Sequence, residues 1–343
     1  MHNSILWLLT AFSLTIDTAS AQKEIPPPLT QAKLNKAFPD GFKLEDGERN
    51  ASLVKTVPVQ VEGSNEVFDL RYRIFAPVDQ FLKSSDVKGA AKTCSSDNRS
   101  RNGINIVLHG DSADSWVDFP NKEGFEANID GQTTRFFGAA VLAPNDRPIW
   151  GGEFVGGGKQ DRVDCVPHMD ALAQLITTDM QDNLCFDPQK TTFMTISGGS
   201  NVFTNCFMPR HLETFPKMAA VVGCGAVPPG DGLFTQKSKE ALKTARMHFQ
   251  STQREADGFQ ITLPQSIAKY SEFGLEVTDQ SALDKKQTFD NSPSGGHCVF
   301  DGDSFKTGSD LLAKSIPDIL FKGEAVNGFF PKPFSQVNTL QFA

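Results

Sequence analysis

At 343 residues, with 39% hydrophobic and 22% charged side chains, the chain can build a large packed core and lacks the composition of a disordered or fibrous protein. A formal net charge of −8, with no basic run anywhere, sets nucleic acid aside as a partner. Beyond the N-terminus no stretch is long and apolar enough to span a bilayer, so stable membrane insertion is not expected either.

The chain opens with an apolar run, Ile5 to Ile16, followed by the small-x-small triplet Ala19-Ser-Ala21. That pattern is a secretory leader over residues 1–21, cleaved before Gln22, and it predicts a secreted, extracellular protein. Residues 22–56 begin with Ile25-Pro-Pro-Pro28 and read as an extended lead-in. A single catalytic domain is expected over 57–343, since no linker or internal repeat divides it. The six cysteines, Cys94, Cys165, Cys185, Cys206, Cys224 and Cys298, are widely spaced with no C-x-x-C pair. In an exported chain they predict up to three disulfides of undetermined pairing rather than a metal site. Asn50-Ala-Ser52 and Asn98-Arg-Ser100 are glycosylation sequons.

Val57–Val61 and Phe68–Phe75 alternate apolar and polar residues, as half-buried antiparallel strands do. Residues 80–103 form a polar loop. Ile104-Asn-Ile-Val-Leu108 and Phe137–Ala143 are buried strands, and 161–183 carries helical periodicity. Thr191–Thr195 is a further buried strand, after which Ser200–Met208 is helical. Met218–Gly223 and Arg246–Phe249 continue the strands, Ile261–Phe273 is a helix closed by Gly274, and Leu275-Glu-Val277 begins the last strand. A helix over 309–321 closes the pattern. Strands alternating with helices imply an α/β fold, a mostly parallel central sheet with helices on both faces.

Thr195-Ile-Ser197-Gly-Gly199 lies at the junction of a buried strand and a helix. A serine on such a sharp turn is a nucleophile elbow, in which small neighbours let strand and helix approach and the backbone lifts Oγ into reach. The usual first position is Gly, and here it is Thr195. Acyl transfer by serine also requires a base, a carboxylate to orient it, and N–H donors for the oxyanion. Of six histidines, His2 leaves with the leader, while His168, His211 and His248 fall within predicted elements as structural residues. His297 stands in a Gly-rich turn after the last strand and is the candidate base. Asp257 is the preferred acid on the loop after Phe249, with Glu255 the alternative and Asp231 third. Gly198 and Asp111, the latter just past Leu108-His109-Gly110, are the candidate oxyanion donors. Trp150, with Phe154, is a candidate aromatic wall for substrate, Trp116 lies on a loop of the same edge, and His109 supports its loop.

Ile104–Gly110, the elbow at Ser197, Gly274–Val277 and Gly295-Gly-His297-Cys298 together resemble the secreted α/β-hydrolases that include polyhydroxybutyrate depolymerases, feruloyl esterases and acetylxylan esterases. The resemblance implies a Ser–Asp–His esterase, carried here by Ser197, Asp257 and His297, without cofactor or metal, acting on a polymeric or small carboxylic ester. A monomer is expected. A catalytically silent binding protein, a lipase or a peptidase on the same fold are the alternatives. Ser-Gly-Gly-Ser also occurs in serine–aspartate dyad enzymes of the patatin type, but there the elbow follows the first strand and no His is needed; covalent labelling at Ser200 in place of Ser197 would overturn the elbow assignment.

Overall fold

The computed structural model describes residues 29–151, 162–230, 232–322 and 331–343. The expected leader, 1–21, lies outside them. Strands follow in chain order as β1 (Gly41–Glu45), β2 (Asn50–Gln60), β3 (Val67–Pro77), β4 (Asn102–Leu108), β5 (Phe125–Ile129), β6 (Gln132–Leu142), β7 (Thr191–Ile196), β8 (Ala219–Gly223), β9 (Arg246–Gln250), β10 (Gln287–Asp290) and β11 (Lys332–Pro333). They form one sheet in the spatial order β1-β2-β3-β6-β4-β7-β8-β9-β10-β11, with β5 paired to β6. From β6 to β10 all neighbours run parallel. The flanking strands are antiparallel. This is the α/β-hydrolase fold.

Burial explains the parallel centre. Every residue of β4, β7 and β8 is buried, as strands covered on both faces require. Alternate side chains enter two cores. Ile106, Leu108, Phe193 and Val222 face one, with Leu172, Ile176, Phe203 and Phe207 from the covering helices. Val107, Met194, Ile196 and Val221 face the other, with Trp116, Leu312 and Ile316. From β4 the chain goes to β6 on one side, then returns to β7 on the other. The C-terminal ends of β4 and β7 therefore flank a topological switch point, the place where open α/β sheets form their crevices. Among the described residues no helix is long and apolar enough to cross a membrane.

The structure departs from the expected elements in several places. The lead-in contributes a helix, Gln31–Ala37, then β1 and the first half of β2, so the boundary expected at residue 57 falls inside a strand. β1, Gly-Phe-Lys-Leu-Glu, is a short edge strand whose first three residues, Phe42 among them, are exposed, while Leu44 packs against the core. Leu275–Val277 begins no strand, because the helix Asp257–Leu275 runs straight through Gly274. A Cβ there would lie 2.7 Å from Leu283 Cδ2, so the glycine serves close packing. The last parallel strand is β10, whose sequence Gln-Thr-Phe-Asp has no apolar run. The predicted 161–183 helix is broken at Thr178 into Cys165–Thr177 and Asp179–Asn183.

The six cysteines pair as Cys94–Cys185, Cys165–Cys206 and Cys224–Cys298. Three buried histidines are built into the sheet and its cover. His168 Nδ1 accepts from the Gly151 N–H at 3.0 Å, and the ring packs edge-on to Phe68. His109 Nε2 accepts from the Ala143 N–H at 3.0 Å while Nδ1–H donates to the Gly110 carbonyl at 2.6 Å. His248 lies between Thr288 and Gln250. A ring nitrogen that accepts from a backbone N–H must be unprotonated, so His109 and His168 are neutral in the fold. Burial pushes both down to about 4, and burial lowers His248 as well.

In the unfolded chain these rings take up protons near pH 6.5, at about the ordinary histidine value. Stability is therefore complete above that pH and falls as the pH drops from about 6.5 toward about 4, by up to roughly 1.4 kcal/mol per pH unit per histidine. Urea-denaturation midpoints at intervals between pH 7.5 and 4.5 are expected to decline monotonically, with His168→Phe showing a shallower decline than wild type. A pH-independent midpoint over that range contradicts the assignment.

Candidate active site

Ser197 stands at the tip of the bend between β7 and the helix that begins at Gly198. Its φ of 49° and ψ of −113° are strained for a residue with a side chain. The surrounding atoms hold it there. The Ser197 N–H donates to the Gly223 carbonyl at 2.9 Å, and its own carbonyl accepts from the Asn201 N–H at 3.1 Å. Close packing accounts for the glycines. A Cβ at Gly199 would lie 2.5 Å from the Leu108 carbonyl oxygen, and one at Gly225 would lie 2.9 Å from that of Ser197. A Cβ at Gly198 would overlap Asp111 Oδ1 at 1.9 Å.

Thr195, in the position where the motif ordinarily has Gly, is fully buried. Its Oγ1 lies 2.9 Å from Ser200 Oγ, which donates to the Gly223 carbonyl at 2.8 Å. Threonine is therefore accommodated by a hydrogen-bonded chain of two hydroxyls crossing to β8. The same chain occupies Ser200, whose side chain is buried and engaged.

His297 reaches the elbow from the loop after β10. Its Nε2 is 2.9 Å from Ser197 Oγ, and Nδ1 is 2.5 Å from Glu255 Oε1. The ring is stacked on Phe259, with centroids 5.2 Å apart and planes 15° off parallel. The His297 side chain is 33% exposed and that of Glu255 is wholly buried. Glu255 is otherwise satisfied by Ser251 Oγ at 3.0 Å and the Ala256 N–H at 2.9 Å. Two loops are zipped together to achieve this. The Gln253 N–H donates to the Pro293 carbonyl at 2.8 Å, the Arg254 N–H to that of Gly295 at 3.3 Å, and Thr252 Oγ1 to that of Gly296 at 3.2 Å. The Cys224–Cys298 disulfide ties the residue after His297 to the end of β8.

The carboxylate on His297 is thus Glu255 and not Asp257, which sequence reasoning preferred. Asp257 is exposed and opens the helix Asp257–Leu275, where a first-turn acid complements the helix dipole. Asp231 and Phe154 lie outside the described residues. Trp150 is not a substrate wall. It is fully buried, 5.5 Å from the His109 ring and 6.5 Å from that of His168. Trp116 is likewise buried.

Gly110 passes so close to Ser197 that a Cβ on it would lie 3.2 Å from Ser197 Cβ. This brings Asp111 beside Gly198, the two expected oxyanion donors. Sequence reasoning missed Arg162, whose Nη1 donates to Asp111 Oδ1 at 3.0 Å and whose Nη2 donates to Oδ2 at 2.9 Å. It also missed Phe259, since an aromatic residue in an amphipathic helix carries no mark of contact with a distant loop. Cys224, His297 and Cys298 cluster within 4.8 Å, but the two sulfurs are joined as a disulfide and are not thiolate ligands.

No family model and no curated protein matches the chain. Among solved structures it is similar to a ferulic acid esterase, at 14% identity and a TM-score of 0.40, over 78% of this chain and 97% of that one. It is similar to an arylesterase at 12% identity and 0.43, over 84% and 89%. A third is an esterase from the Planctomycetes species Thermogutta terrifontis, at 13% identity and 0.39, over 78% and 95%.

Replacing Thr195 by Gly, the ordinary motif residue, is expected to destabilise the protein by about 1–3 kcal/mol, through the lost hydroxyl bond and the freer unfolded chain. Thermal unfolding of Thr195→Gly beside wild type checks this. An unchanged or higher Tm contradicts the packing described.

Proposed function

We propose that the protein is a secreted serine hydrolase of carboxylic esters, acting through Ser197, His297 and Glu255. The observation that carries the proposal is a single imidazole bridging the elbow hydroxyl and a buried carboxylate. His297 Nε2 removes the proton from Ser197 Oγ as it attacks the ester carbonyl. Glu255 accepts the Nδ1–H bond, fixing the tautomer and stabilising the imidazolium that forms. Backbone N–H groups of Gly198 and Asp111 receive the oxyanion. Each such donor is worth about 10²–10³ in rate. His297 then protonates the departing alkoxide, and water, activated by the same ring, hydrolyses the acyl-enzyme.

Ser200 is the weaker nucleophile candidate, being buried with its hydroxyl already donated to Gly223. Ser197 is half-buried and His297 one-third exposed, and the proposed acyl group is one carried on a polymer, a polyester or a plant cell-wall ester, or on a small alcohol. Three disulfides support an oxidising, extracellular setting. A monomer without cofactor completes the proposal.

The test uses p-nitrophenyl acetate and butyrate with a fluorophosphonate probe. Wild type is expected to turn over both esters and to carry the adduct on Ser197 in peptide mapping. Ser197→Ala should lose at least about 10⁴-fold in kcat, and Glu255→Gln about 10²–10⁴-fold. Asp257→Asn should leave kcat essentially unchanged. An adduct on Ser200, or a greater loss in Asp257→Asn than in Glu255→Gln, contradicts the assignment. Absence of turnover and labelling in wild type supports a binding protein instead.

A further inference from the structure

We infer that Arg162 is a positioning residue that holds the oxyanion hole in place and neutralises the carboxylate built into its wall, an inference that rests on the Ser197 reading above. Its guanidinium, with a side chain only 4% exposed, grips both oxygens of Asp111 in a fork. Nη1 also donates to the Trp150 carbonyl at 2.7 Å. Three of its five N–H groups are taken by these acceptors and Nε is buried without a partner, so the buried guanidinium acts through Asp111 and not on substrate.

The location gives the pair its consequence. Asp111 supplies one oxyanion N–H, and its side chain lies against the Cα of Gly198, which supplies the other. A Cβ at Gly198 would be 1.9 Å from Asp111 Oδ1 and 3.1 Å from Arg162 Nη2. One ion pair thus fixes the spacing between the two donor peptides. It does so from a braced position. The Arg162 carbonyl accepts from the Cys165 N–H at 2.9 Å, and Cys165 is disulfide-bonded to Cys206 in the segment continuing the elbow helix. On the other side the Trp150 ring lies near His109, whose Nδ1–H holds the Gly110 carbonyl.

Charge makes the same demand. A bare carboxylate beside Gly198 would oppose the negative charge that develops on the substrate oxygen, although the Asp111 side chain is 34% exposed and solvent screens part of that opposition. Desolvating an arginine is costly, and an apolar contact could brace a loop equally well. A paired cation is required only because Asp111 is an anion at this position.

The experiment measures kcat and KM on p-nitrophenyl butyrate for Arg162→Ala, Arg162→Lys, Asp111→Asn and the double variant Arg162→Ala/Asp111→Asn. Rates are normalised to the endpoint of fluorophosphonate labelling, so only folded, competent sites count. Arg162→Ala is expected to lose about 10–100-fold in kcat, as small misplacement of catalytic donors does, with KM changed less than about threefold. Removing the stranded charge should restore part of the loss, leaving the double variant at least about fivefold faster than Arg162→Ala. Wild-type kcat per labelled site in Arg162→Ala, with only Tm lowered, would reduce Arg162 to a stabilising residue and overturn the inference. A double variant no faster than Arg162→Ala overturns its electrostatic half. Should Arg162→Ala not fold, Arg162→Lys decides, since losing the fork while keeping the charge is expected to lower kcat and leave KM alone. Full turnover by Ser197→Ala would instead overturn the underlying nucleophile assignment, whatever Arg162 does.

Discussion

The backbone of Ser197 is held in a conformation that side-chain-bearing residues avoid, at a cost of about 1–3 kcal/mol. Everything at the site follows from how that conformation is maintained. Two hydrogen bonds, to Gly223 and from Asn201, pin the peptide. Around it the ends of β4, β7 and β8 approach so closely that Gly198, Gly199 and Gly225 have no room for a methyl group. The result leaves Ser197 half-buried at the C-terminal end of β7, directly before the first residue of the following helix. The strain is local, while the two cores that offset it extend over the whole sheet.

The other two members arrive from sequence-distant loops and meet by different means. Glu255 lies five residues beyond β9 and is drawn fully into the protein, where Ser251 and the Ala256 N–H stabilise it beside the imidazole. His297 stays partly in solvent, as the proposed exchange of protons with substrate and water requires. The backbone bonds between the 252–254 and 293–296 segments, with the Cys224–Cys298 link, couple Glu255 and His297 mechanically. Phe259 limits the ring to one plane.

Much of this was legible in the residues. Buried parallel strands announce themselves as continuous apolar runs, and a Ser-Gly-Gly turn, ordinary by itself, gains meaning from the buried strand before it and the helix after it. His297 stood out because its Gly-rich turn falls after the last expected strand, where the hydrolases this chain resembles present their histidine. The choice between Glu255 and Asp257 was not legible, since two acids two residues apart differ only in where the helix begins. The helix starts at Asp257 and leaves that side chain exposed. Arg162 and Trp150 were hidden for a related reason. Their burial depends on packing around β4, and in sequence a loop tryptophan looks the same inside or out. β1 and β10 escaped notice because one is an exposed edge and the other is four residues long.

The central claim is that His297 donates its Nδ1 proton to Glu255. Proton NMR of the intact protein in water tests it directly, because a proton held between imidazole and a buried carboxylate resonates far downfield of ordinary amides. The account predicts one such resonance, absent in His297→Ala and in Glu255→Gln and present in Asp257→Asn. A resonance that survives Glu255→Gln and disappears in Asp257→Asn would contradict it.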